Sequence, residues 1–319
     1  MISLKRFSLF SFAILLTVIC AATYAPAQQP PLAIRPIRPS QKASVMQTVG
    51  VTDITITYSR PPVKGRTIFA EAPATMEARA KGEATLDNQN DRKPGEPIVP
   101  YNHVWRVGAN DATVFAVTDD VLINGQPLKA GTYSLHTVPG KDEWTIIFNS
   151  DSGQWGSFNY DSKKDVLRVK TKPQSVADNQ EWLMFSFDPV TENSATVNIR
   201  WEKLRVPFTV EIKDVITLWR TKADALIAAN PTNEVLPLQV AGTYANLKNW
   251  DEALKYVDQS IKVKETFPNL RSKANILWAA GKKEEALKVA DLAIAKGKAD
   301  KANTAAFEQR VADMKAGKL

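Results

Sequence analysis

The sequence predicts a two-domain chain of the β + α class, with an antiparallel β-sandwich or jelly-roll-like domain followed by an α-helical repeat domain. Three observations carry this. Short apolar runs that alternate with polar residues recur through the middle of the chain, separated by turn pairs such as Asn124-Gly125, with no helical segment between them. From Asp214 the period becomes helical, and Val215, Leu218, Trp219, Ala223, Leu226 and Ile227 fall on one face. At 319 residues the chain also exceeds the roughly 250 to 300 at which a single core stops growing.

Taken in order, residues 1–27 read as a secretory signal peptide. Lys5-Arg6 precedes the apolar run Phe7 to Cys20, and small residues end at Ala25-Pro26-Ala27. The apolar run falls short of the roughly 20 residues needed to span a bilayer. Ile19 is not the small residue expected before a lipidated cysteine. These features predict a periplasmic or extracellular protein with no stable membrane anchor once the signal is removed. Cys20 is the only cysteine, so the mature chain has no disulfide, thiol nucleophile or thiolate metal site.

Residues 28–39 are a Pro-rich linker. In the β-domain, residues 40–213, the first strand is Thr52 to Ser59, with Ile54, Ile56 and Tyr58 on one face. Further strands are expected at Ala112 to Thr118, Val121 to Ile123, Thr132 to Val138, Trp144 to Asn149, Val166 to Lys172, Trp182 to Asp188, Ala195 to Glu202 and Arg205 to Ile212. Residues 70–97 lack β alternation and are read as an inserted loop, a mobile surface excursion in which Met76, Ala80 and Leu86 have the spacing of one short helix.

The helical domain, residues 214–319, contains an internal repeat. The run from Asn249 to Lys255 aligns with Lys282 to Lys288 at a shift of 33 residues, and Asp258 and Ile261 align with Asp291 and Ile294. Helix pairs at this period resemble tetratricopeptide repeats, a likeness strengthened by Gly242, Tyr244, Ala253 and Pro268. Such a module implies a protein partner, or a stack that only packs on its neighbour.

The formal charge of +7 is diffuse: 17 basic and 13 acidic residues lie from Asp214 onward, and Lys5 and Arg6 lie in the signal. No patch is concentrated enough for nucleic acid, which is excluded as a partner.

Between Tyr58 and Leu135 stand the blocks Tyr58-Ser59-Arg60-Pro61, Lys64 to Phe69, Val99-Pro100-Tyr101, Val104 to Thr113 and Ala130 to Leu135, followed by Trp144 to Asn149 and Trp155-Gly156-Ser157. In this order they resemble a family of exported bacterial proteins grouped as a domain of unknown function. The resemblance covers Ser40 to Lys213. It implies a secreted β-sandwich, sometimes followed by helical repeats, and it implies no reaction. The chain departs from the family pattern in the Ala70 to Pro97 excursion.

Read as chemistry, Arg60, Lys64, Arg66 and Arg106 are four cations in turn-like segments, interleaved with Tyr58, Tyr101 and Trp105. Gathered together, they suit a small anionic, polar or saccharide ligand. The alternative is that each arginine braces a loop by bonding carbonyls or a carboxylate such as Asp111. His103 and His136, with Asp111, Asp119 or Asp120, offer a metal or acid–base reading, but their spacing follows no ligand motif. Trp144, Trp155, Trp182 and Trp201 are expected in the sandwich core. No nucleophile elbow, phosphate-cradling glycine pattern or glycosidase carboxylate pair occurs, so no catalytic residue, metal or cofactor is nominated.

The leading expectation is a non-catalytic binding protein. Its candidate ligand residues are Arg60, Lys64, Arg66, Tyr101, His103, Trp105, Arg106, Asn110, Asp111 and His136. A hydrolytic or metal-dependent enzyme using His103 and His136, and an envelope scaffold, are the alternatives.

Overall fold

A computed structural model describes residues 37–74, 85–87 and 93–319. The signal peptide, most of the Pro-rich linker and the helix suggested by Met76 and Ala80 lie outside the described residues.

Alternating sequence becomes two facing sheets. The larger has strand order β1-β2-β5-β8-β9-β10, from β1 (Gln41–Val49), β2 (Thr52–Arg60), β5 (Thr113–Val117), β8 (Gly131–Val138), β9 (Trp144–Asn149) and β10 (Asp165–Thr171). The smaller has order β11-β12-β6-β7, from β6 (Val121–Ile123), β7 (Gln126–Leu128), β11 (Gln174–Val190) and β12 (Ser194–Glu211). A short parallel pair, β3 (Phe69–Ala70) and β4 (Val99–Pro100), completes the domain. Ile54, Ile56, Phe115, Leu135, Ile146 and Phe148 from one inner face meet Val197, Ile199, Trp201, Phe208 and Val210 from the other in a single core. This is the β-sandwich the alternation predicts.

The β6–β7 turn is tight because Asn124 and Gly125 both adopt positive φ, 47° and 80°, as a type I′ hairpin requires. Three departures from expectation have local causes. β1 was not expected; it is an edge strand paired only with β2, its outward positions Lys42, Ser44, Met46 and Thr48 are exposed, and its apolar signal is weak. The two segments expected on either side of Lys203 are one strand, β12, whose ladder shifts register where Glu202 takes a φ of 53°. Of the four tryptophans assigned to the core, Trp144 and Trp201 are buried, whereas Trp155 and Trp182 are exposed.

Six helices follow among the described residues: α1 (Val215–Ala229), α2 (Val235–Asn246), α3 (Trp250–Val263), α4 (Phe267–Ala279), α5 (Lys283–Ala299) and α6 (Ala305–Lys315). Asp214 starts α1 by accepting the Thr217 N–H. The aligned alanines Ala253 and Ala286 are both fully buried, on α3 and α5, where a larger side chain would force neighbouring helices apart. The aligned pair Tyr244 and Leu277 is buried as well. Residues 39–319 form one compact unit. Its two parts meet where a Cβ at Gly50, in the β1–β2 turn, would fall 2.5 Å from Val215, and where Lys222 on α1 reaches Asp119 at 2.7 Å.

Candidate functional site

The site is organised by how the segment Tyr101 to Thr113 joins the sheet. Asn102 N–H donates to Pro139 O, and Trp105 and Thr137 exchange both backbone hydrogen bonds at 2.8 Å, so this segment runs antiparallel beside β8. Alternation then decides which way each side chain points. Trp105 enters the core, where it stacks on Trp201 at 5.7 Å between centroids and meets Phe69 and Trp144 edge to face. Arg106 emerges on the opposite face, and the register sets it across from His136.

Beyond Arg106 the chain makes a braced hook. Val107 and Asn110 take φ of 52° and 60°, a costly conformation for a β-branched valine. Surrounding bonds impose it: Thr113 Oγ1 donates to Val107 O, Trp105 Nε1 to Gly108 O, and Asn110 Nδ2 to Ser40 O and Ser59 Oγ. Gly108 is required because a Cβ there would stand 2.9 Å from Ser59 O.

This hook forms one wall of a cleft of about 250 Å³. Pro61, Pro62, Ile98 and Trp201 supply apolar lining, and Lys64, Arg66, Arg106 and Asp87 supply charge. Three cations thus face one carboxylate. Arg106 Nη1 bonds Asp87 Oδ1 at 2.6 Å, with the two side chains 15% and 9% exposed. Arg66 spends donors on its own turn, from Nε to Val63 O and from Nη2 to Pro62 O. The buried Arg106 Nε and Trp201 Nε1 have no hydrogen-bond partner among the described residues.

The expected ligand residues therefore divide. Lys64, Arg66, Trp105 and Arg106 converge on the cleft, whereas Arg60, Tyr101, His103, Asn110, Asp111 and His136 do not line it. Arg60 ties β2 to β11 through Leu183 O, which is the bracing role. Tyr101 stands near Glu71, Asp142 and Glu202, its phenol pushed up by burial and then by those carboxylates. His103 is buried and its Nδ1 bonds Tyr101 O at 2.8 Å. Asn110 holds the hook, and Asp111 pairs with Trp155 as a β-bridge. Tyr58 is buried and accepts the Phe185 N–H on its hydroxyl.

Behind Arg106 lies a second, sealed layer on the outer face of the larger sheet. His136 is fully buried, with Nδ1 3.4 Å from Ser134 Oγ, its ring 5.0 Å from that of Tyr160 and its Nε2 without a partner among the described residues. Burial, followed by the charge of Arg106, pushes its imidazole down to about 4. Above it runs the segment from Asp151 to Tyr160, held by Ala112 N–H to Gln154 O and Gly156 N–H to Asn110 O. Gln154 Oε1 and Ser157 Oγ are also buried there without a partner among the described residues. Among the described residues, no group of three or more His, Cys, Asp or Glu side chains is placed to hold a metal ion.

A family model described as Protein of unknown function (DUF2911) matches residues 40–82 and 86–210. The chain belongs to this family. No curated protein and no solved structure matches it. The DUF2911 match spans the strands from β1 to all but the last residue of β12, and with them every cleft-lining residue except Pro39, and it stops before α1. Its one internal break, residues 83–85, falls in the excursion immediately before Leu86.

Asp87 is the DUF2911-domain residue of the cleft for which the sequence reading held no expectation, and Leu86 was expected only as a position of one short helix. The stretch read as a mobile surface loop is anchored at this point: Thr85 bridges Val104, Leu86 N–H donates to Val104 O, and the Leu86 side chain is buried in the core. A lone leucine in an otherwise polar stretch was the available signal. Ser157, Gln154 and Trp201 carried no comparable one, because their importance depends on what lies across from them.

Proposed function

We propose that this chain is an exported, non-catalytic binding protein whose β-domain holds a small anionic ligand in the cleft of Lys64, Arg66 and Arg106, and whose helices dock a protein partner as tetratricopeptide-like repeats. The observation that carries the ligand reading is the excess of donors in the cleft. Among the described residues, three cationic side chains and a single carboxylate line it. Donors in a partly desolvated concavity select oxyanions over neutral molecules.

A saccharide is less well supported than an anion. Sugar recognition uses an open aromatic face, and Trp105 and Trp201 stack on each other with both residues buried. Export rests on the signal-like segment before Gln28. The partner reading rests on the aligned, equally buried pairs Ala253/Ala286 and Tyr244/Leu277.

Isothermal titration of the purified protein with citrate, and with glucose as the neutral control, tests the ligand reading. Citrate is expected to bind with an affinity that falls with salt, and Lys64→Ala to weaken it about fivefold, the scale of one charge-assisted contact. Absence of heat with citrate and inorganic phosphate, or equal binding of glucose, would remove the reading.

A further inference from the structure

The deep end of the cleft is already occupied by part of the protein itself. Asp87 places Oδ1 2.6 Å from Arg106 Nη1 and accepts the Ser157 backbone N–H on Oδ2, also at 2.6 Å. Gly156, with φ of 66°, lets the carboxylate come this close, since a Cβ there would lie 3.0 Å from Oδ2. Among the described residues, further polar atoms of the same two contacts have no partner: the buried Arg106 Nε and Ser157 Oγ. The same holds for His136 Nε2 and Gln154 Oε1, on the neighbouring strand and segment. A guanidinium and a backbone N–H arranged around a carboxylate make a carboxylate receptor, with one guanidinium N–H to spare.

We propose that Arg106 and the Ser157 N–H form a carboxylate subsite at the deep end of the cleft, and that Asp87 is an internal occupant which an incoming carboxylate ligand displaces. The inference rests on the anionic reading of the cleft and adds to it a substrate class and a competitor. Lys64 and Arg66 at the mouth attract the ligand, and Arg106 and Ser157 then receive one of its carboxylates when Asp87 leaves. Ligand affinity is consequently lowered by whatever holds Asp87 in place, including the burial of Leu86 beside it.

Titration of three proteins with citrate provides the test: the natural protein, Asp87→Asn, and Asp87→Asn combined with Arg106→Gln. Asp87→Asn is expected to tighten citrate binding about tenfold, the worth of one charge-assisted pair no longer competed for, and Arg106→Gln to abolish that gain. A gain for inorganic phosphate without one for citrate would overturn the carboxylate assignment. An unchanged citrate affinity in Asp87→Asn, while Lys64→Ala still weakens binding, would overturn the displacement and leave the cleft reading standing. Absence of binding in all three proteins would remove both. Should Asp87→Asn fail to fold, the amide spectrum of the natural protein decides: the Ser157 N–H is expected to shift on saturation with citrate, and an unmoved Ser157 signal at saturation would overturn the displacement.

Discussion

The two halves of the molecule treat buried polarity in opposite ways. In the helical part, polar side chains taken from water find partners: Tyr256 donates to Asp224, Ser260 to Glu234 O, and Asn269 to Ser260 Oγ and Lys264 O. In the β-domain, buried side-chain atoms without a partner run from Arg106 to Trp201, and every such atom among the described residues lies there. An unmade buried hydrogen bond costs about 1 to 3 kcal/mol. Two of these atoms, Arg106 Nε and Trp201 Nε1, belong to residues that line the cleft, and each is a position where an ordered water or another polar group completes the bonding. The helical part pairs the polar side chains it buries, and the β-domain leaves several of its own without a partner among the described residues.

That contrast can be broken at its strongest point first. Trp105→Ala opens the aromatic cluster shared by Phe69, Trp144 and Trp201 and is expected to cost about 3 to 5 kcal/mol in chemical denaturation. A cost under about 1 kcal/mol would show that the hook does not depend on its core anchor. Next, Asp87→Ala leaves the Arg106 guanidinium partly buried without its carboxylate, with an expected cost of about 3 kcal/mol. A neutral result would mean that the pair is held without strain or benefit.

His136 separates the halves by pH. Its imidazole is pushed down to about 4 in the folded protein from an ordinary value of 6.5, so the unfolded chain takes up the proton first. The contribution of neutral His136 is complete above about pH 6.5 and is lost as pH falls toward about 4, a change on the order of 3 kcal/mol. Denaturation at pH 7.5 and pH 5 is expected to show the loss for the natural protein and a shallower one for His136→Gln. Equal slopes would place the acid sensitivity elsewhere. In the helical half, Asn269→Ala removes a capping box and leaves Ser260 and Lys264 O short of a donor, for about 1 to 3 kcal/mol with citrate binding unchanged. A shift in citrate affinity in that variant would erase the division of labour.

Smallest of all, Lys255→Ala removes an exposed pair with Glu252 and is expected to change stability by about 0.5 kcal/mol or less.

Which parts of this were legible in the sequence follows from the range of the signals. β2, β6 and β9 fell within one residue of their expected ends, because strand alternation is a property of neighbouring residues. β1 escaped because an edge strand buries little on its outward side. The cluster of cations was half right. Lys64, Arg66 and Arg106 do converge, but Arg60 turned to Leu183 O, and no local rule distinguishes a bracing arginine from one that lines a cleft. His136 alternates with Leu135 in the sequence as an outward residue would, and only the segment from Asp151 to Tyr160 folding over it makes it buried.

By itself the sequence determined the order of the two parts, the change from a period of two to a helical period at Asp214, and the inward face of strands such as β2, though not the exposure of Trp155, Trp182 and Leu226. These are consequences of short-range geometry and apolar burial, and they need no knowledge of partners. Only the tertiary structure decided that Asp87 meets Arg106 and Ser157, 19 and 70 residues away. An ion pair of that kind is specified by the path of the whole chain, so the charges that make a site were visible as residue types and became chemistry only when the sandwich closed.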